Sequence, residues 1–303
     1  MKFRNIAGRG IFGESKVKGK LPMTGKYMAY VGSYSYTGKA KGITVYDVDV
    51  EAGKFIYRCE VEVDNSSYLK ASQNGQILYS IADEGVVAFR VLPNGSLARL
   101  NSANIRGMRG CHLSTSKADD YIFISGFHDG KITLVDTIRC ELESAPKYFM
   151  FSSDGRFFYV LYELKNMIEV YSYKEGERVP IVEKIQTIPS TGSKPNQLTA
   201  ACAMHLSPDE KHLFCSNAGD NTVSMYDRDD ETGMLTMRFC LPISGDYPKD
   251  IAIFPDGKHL ASINHEGSIS FFKIDYEKGL LVMSDRSITV NEPNCCEIVK
   301  IGD

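Results

Sequence analysis

The chain has 303 residues, 43% of them apolar and 24% charged, a make-up that suits one large globular domain or two ordinary ones. Its net charge of −3 supplies no concentrated basic face for nucleic acid, and no apolar run approaches the ~18 residues needed to cross a bilayer. The reading is of a protein with neither a nucleic-acid partner nor a membrane span. Tryptophan is absent while there are 17 tyrosines and 15 phenylalanines, which fits strands whose aromatics pack on pleated surfaces. The eight cysteines include no Cys-x-x-Cys pair, and Cys295 and Cys296 are adjacent, a poor spacing for one tetrahedral metal. Without a secretory signal, they are expected to be reduced thiols in a cytoplasmic protein that uses no metal and no cofactor.

Residues 1–25 stand apart. Lys2, Arg4, Arg9, Lys16, Lys18 and Lys20 face a single Glu14, with five glycines and no sustained periodicity. This reads as a disordered basic leader, followed by one domain over 26–303. Strands begin at once after it. Tyr27-Met-Ala-Tyr-Val-Gly-Ser-Tyr, Gly42-Ile-Thr-Val-Tyr-Asp-Val-Asp and Phe55-Ile-Tyr-Arg-Cys-Glu-Val-Glu-Val alternate β-branched and aromatic residues, and the turn Glu51-Ala-Gly-Lys joins the last two.

From residue 69 one unit repeats. An apolar strand, a turn such as Pro208-Asp209, a second strand, a polar turn and a third strand recur over 69–89, 149–171, 203–226 and 251–272. The landmark turns at Gly75, Asp120, Gly155, Glu210 and Gly257 lie 45, 35, 55 and 47 residues apart. Four short strands per ~40–50 residues, without helical periodicity, predict an all-β propeller of four-stranded blades. About six blades are recognisable. The third lacks the turn that elsewhere reads Asp230-Glu-Thr-Gly-Met234, so it is expected to be incomplete. The first unit has no opening strand, and the C-terminus has a spare one, Asn294-Cys-Cys-Glu-Ile-Val-Lys-Ile301. Pairing the two closes the ring and leaves no sheet edge.

In such a blade the innermost strand starts, and the second strand ends, at the same mouth of the channel. Strand starts bring Cys111-His112, Pro146-Lys147-Tyr148 and Pro248-Lys249-Asp250 there; second-strand ends bring Glu84, His128, Glu163, Asn217 with Asp220, and His265 with Glu266. Converging carboxylates, imidazoles and ammonium groups suit a hydrolytic or anion-binding pocket. His205 alternates with Met204 and Leu206 and is expected to be structural. The aspartates of the Pro-Asp turns (Asp154, Asp209, Asp256) are expected to cap backbone amides.

At these residues the sequence resembles the lactonase family of seven-bladed β-propellers, which includes cycloisomerase-type 6-phosphogluconolactonases and a fungal carboxymuconate lactonising enzyme. Gly110-Cys-His-Leu-Ser114, residues 145–155 with Tyr162-Glu-Leu-Lys-Asn166, Leu206-Ser-Pro-Asp209 and residues 248–257 carry the likeness. The resemblance implies catalytic roles for His112 and Glu163 and substrate-binding roles for Lys147 and Lys249, where the family pattern expects arginines; Tyr148 stands where it expects a histidine. His128 and His265 join the substrate-binding candidates. A family blade is missing between Thr133 and Glu141. The implied activity is opening of a sugar lactone, foremost 6-phosphogluconolactone to 6-phosphogluconate in carbohydrate metabolism, by a monomer or weak homodimer. The alternatives are a non-catalytic propeller that binds a sugar phosphate or a protein partner, and an inactive relic short of a blade.

Overall fold

The computed structural model describes residues 27–83, 85–104, 110–115, 119, 122–126, 131–133, 137–139, 144–174, 181–192 and 198–301. The expected leader over 1–25 lies outside them. Among the described residues, six four-stranded antiparallel sheets form the blades. Their innermost strands are Pro293–Lys300 in blade one, Leu69–Ala71, His112–Thr115, Pro146–Phe151, Ala200–Leu206 and, in blade six, Pro248–Ile253. Each of these touches the next, and blade six meets blade one, so the ring is closed.

Burial follows from blades stacking face to face. A middle strand is covered on both faces, and Phe157–Tyr162, a run of six apolar residues, is buried throughout. The outermost strands are half wet, and Ile181–Pro189 alternates between exposed and partly covered positions. Tyrosine does much of the work between blades, because its ring fills the gap and its hydroxyl reaches a backbone carbonyl across it. Tyr30 of blade one donates to Gly95 O of blade two at 2.8 Å, and Tyr159 of blade four donates to Gly233 O of blade five at 3.0 Å. Both glycines have positive φ (+80° and +72°) and lie against the preceding blade. A Cβ at Gly233 would sit 2.4 Å from the Phe157 ring and one at Gly95 2.6 Å from Met28. Phe55 stacks on Phe254 at 5.5 Å where blade one meets blade six.

The ring closes as the sequence predicts. Pro293–Lys300 runs antiparallel to Tyr27–Ser33 with Met28 opposite Val299 and Val31 opposite Cys296, so the two ends of the domain share one sheet. The third unit departs from expectation. It has a fourth strand, Thr137–Arg139, paired with Lys131–Thr133 through Lys131–Arg139 and Thr133–Thr137. Only residues 134–136 separate the two in sequence. The blade is shortened rather than incomplete. Among the described residues no helix is long and apolar enough to cross a membrane.

Closure by one strand pair predicts an all-or-none dependence on the C-terminus. A chain ending at Glu292 leaves the inner edge of Tyr27–Ser33 bare, and is expected to lose its cooperative thermal transition by circular dichroism and to elute as aggregate in size exclusion.

Candidate functional site

The innermost strands begin at one end of the channel, and there they enclose a narrow cavity to which every blade contributes. Asn294, Tyr68, Cys111, Lys147, Cys202 and Lys249 come from blades one to six in turn. Three of these share a local cause. The pairing of the innermost with the second strand slips by one residue between Pro146 and Tyr148, between Ala201 and Ala203, and between Pro248 and Asp250. A bulge kinks the strand and re-aims the extra residue. The residues so placed are Lys147, Cys202 and Lys249, and all three line the cavity.

Glu163, at the end of the second strand of blade four, reaches the same mouth. Its Oε1 accepts from Lys147 Nζ at 2.9 Å, and both side chains are about 15% exposed (15% for Lys147, 14% for Glu163). Burial works against the Lys147 ammonium, but the charges beside it and its hydrogen bond to Glu163 outweigh burial and hold its pKa above the usual lysine range. Lys147 Nζ also lies 3.7 Å from Cys202 Sγ. Lys249 differs. Burial, reinforced by the neighbouring Lys147 charge, lowers its pKa, and its Nζ stands 4.7 Å above the Tyr247 ring. Among the described residues no carboxylate forms an ion pair with Lys249. A half-desolvated cation without an anion is a ready anion site.

His112 sits behind the cavity rather than in it. It is 2% exposed, its ring lies 3.9 Å from that of Tyr148 and 4.5 Å from that of Tyr68, and its Nδ1 has no hydrogen-bond partner. Burial, with Lys70 and His205 adding to it, pushes its pKa well below 6.5, so the imidazole is neutral at pH 7. His265 is at the same mouth but to one side, with Nδ1 3.4 Å from Pro293 O and its ring near Tyr34 and Tyr247. His128 and Glu84 lie outside the described residues. Asn217 is buried and donates to Ser190 O at 2.9 Å.

Beneath the lysines runs a polar chain that sequence reasoning did not assemble. His205 Nε2 is 2.8 Å from Asp250 Oδ1 and 3.4 Å from Tyr148 Oη, and Tyr68 donates to Tyr148 Oη at 2.6 Å. Asp250 is 1% exposed, and its Oδ2 accepts from the Cys296 backbone N–H at 2.8 Å. It therefore ties blade five and blade one to blade six. The signal for this pairing was the Pro-Lys-Asp start of blade six, whose bulge turns Asp250 inward.

Comparison with known proteins gives this mouth a context. A family model described as lactonase, 7-bladed beta-propeller matches residues 28–140 and 133–298. The chain belongs to this family. Within it, a 6-phosphogluconolactonase of Formosa agariphila is 23% identical over 86% of this chain and 96% of its own length. A 6-phosphogluconolactonase of Bacillus subtilis is 21% identical over 90% of this chain and 99% of its own. Among solved structures, a periplasmic gluconolactonase of Pseudomonas aeruginosa superposes with a TM-score of 0.77 at 18% identity, covering 91% of this chain and 99% of that one. At that identity the structural likeness speaks for the fold. The two matched stretches overlap at 133–140, within the third blade.

Two predictions follow from burial at this mouth. Asp250→Ala strands the Cys296 amide and the His205 imidazole, and is expected to cost about 2–4 kcal/mol in urea unfolding. His112 has a folded pKa below its unfolded one, so the unfolded chain takes up its proton first as pH falls. Stability is then expected to decline below pH 6.5 by at most about 1.4 kcal/mol per pH unit, and His112→Phe should flatten that slope in unfolding curves measured at pH 7 and 5.5.

Proposed function

We propose that this protein hydrolyses an anionic sugar lactone of the 6-phosphogluconolactone type. The observation that carries the reading is the Lys249 cation, without an ion pair among the described residues, beside Lys147 in one narrow cavity of a lactonase-family ring, with Glu163 bound to Lys147. The relatives from Formosa and Bacillus, both named 6-phosphogluconolactonase, support the same reaction. Lactone opening needs a base for water, a cation for the substrate's anionic group and positive charge where the carbonyl oxygen becomes an oxyanion. Glu163 serves as the base, oriented by Lys147. Lys249 holds the phosphate, and Lys147 faces the developing oxyanion. His112, neutral and enclosed, supports the cavity wall as a packed ring. The seven cysteines among the described residues are free thiols, which suits a reducing compartment such as the cytoplasm.

The test is release of acid from 6-phosphogluconolactone above its spontaneous hydrolysis. Glu163→Gln is expected to lower kcat by about 10²–10⁴-fold. Lys249→Met is expected to raise KM roughly ten- to hundredfold, as for loss of one charge-assisted contact, with little change on the unphosphorylated lactone. Because burial lowers the pKa of Lys249, KM should begin to rise at a pH below the ordinary lysine value of 10.5. A wild-type rate no faster than buffer on both lactones overturns the reading. A melting temperature raised by 6-phosphogluconate in that same protein would instead mark a non-catalytic binder.

A further inference from the structure

Opening a lactone also requires a proton for the ring oxygen as it leaves, a role left unfilled by the groups assigned so far. The hydroxyls beneath the lysines are arranged to supply it. Tyr148 and Tyr68 both line the cavity, as does Asp250. Asp250 Oδ1 can only accept from His205 at 2.8 Å, so His205 Nε2 carries a hydrogen, and that N–H lies 3.4 Å from Tyr148 Oη. Tyr68 O–H donates to the same oxygen at 2.6 Å. Tyr148 Oη thus accepts from Tyr68 and, because the hydrogen on His205 Nε2 is directed at Asp250, its own hydrogen has no acceptor among the described residues.

Resting on the lactonase reading, we propose that Tyr148 is the general acid of ring opening, with Tyr68 as the donor that holds its oxygen and stabilises the phenolate it becomes, and His205 and Asp250 as positioning residues behind it. Water oxygen bonds to the carbonyl carbon as Glu163 takes a water proton. The tetrahedral intermediate then collapses, the acyl carbon–ring oxygen bond breaks, and its electron pair goes to the ring oxygen. That oxygen takes the Tyr148 proton and leaves as the hydroxyl of the product. Tyr148 is reprotonated from solvent through the tyrosine–histidine chain, and Glu163 returns its proton to solvent. Atoms and charge balance without a further reactant.

Two features outside the hydrogen bonds agree. Burial, with the Asp250 charge adding to it, holds the Tyr148 phenol well above its usual range near 10, so the donor is protonated at neutral pH. The ring cannot swing away, since it is packed between His112 at 3.9 Å and Tyr68 at 5.6 Å.

The test compares 6-phosphogluconolactone with its thiolactone analogue, in which sulfur replaces the ring oxygen and the thiolate leaves without a proton. Tyr148→Phe keeps the ring and is expected to fold with an unchanged product-induced melting shift. On the lactone its kcat should fall about 10²–10⁴-fold with KM little changed, while on the thiolactone it stays within a few fold of wild type. Tyr68→Phe should show the same selectivity in weaker form. An undiminished lactone rate in Tyr148→Phe, or equal losses on both substrates, overturns this inference and leaves the lactonase reading standing. A wild type that opens neither substrate overturns both.

Discussion

Each blade of this ring has an inner strand edge, facing the channel, that no other strand covers. The innermost strand pairs outward only, so its remaining backbone N–H and C=O groups face the channel, where a buried unpaired amide costs roughly 1–3 kcal/mol. Carboxylates from neighbouring blades meet this need. Asp250 of blade six accepts the Cys296 amide of blade one, and Glu297 of blade one accepts the Ala71 amide of blade two while pairing with Lys70 at 2.9 Å. The channel is therefore lined with charge for a structural reason before any substrate is considered. Those carboxylates in turn set the environment of His205, Tyr148 and the lysines above them.

The mouth differs from the rest of the channel because three strands are bulged at equivalent places. A bulge takes one side chain out of the stack between blades and turns it toward the axis. In blades four and six that side chain is a lysine, and in blade five a thiol. The repeat makes this economical: one backbone irregularity, inherited by successive units, delivers different chemistry from each. It also explains the contrast between the two lysines. Lys147 has Glu163 on the adjacent strand of its own blade. Lys249 has Tyr247 below it, and so keeps an unneutralised charge at the rim.

Much of this was visible in the residues. The alternating strands, the spacing of the turns and the orphan strand at the C-terminus were enough for the propeller and for its closure. The topology of a blade also placed Lys147, Glu163 and Lys249 at a common mouth. The pairing of His205 with Asp250 was not visible, since 45 residues separate them and the contact crosses a blade boundary. At His205 alternation suggests a structural place, which its bond to Asp250 agrees with, but not the partner. In a strand flanked by blades on both sides, it separates one buried face from another and not core from channel, and the slip at Ala201–Ala203 shifts the phase as well. The third blade looked incomplete because its outer turn was missing from the text. Its fourth strand, Thr137–Arg139, is only three residues long, too short to carry alternation by which to recognise it.

The strand that finishes the first sheet is the last made of the described strands. During synthesis, Tyr27–Ser33 emerges early with one edge paired to Gly42–Asp49 and the other waiting for Pro293–Lys300. Until the ribosome has translated Pro293–Lys300, that edge is an open template for any extended chain nearby. The five later blades can assemble as they appear, but the ring has no final form before Pro293–Lys300 is made. The burden on cellular chaperones therefore falls on the nascent chain, and lifts in a single step when the C-terminal strand docks.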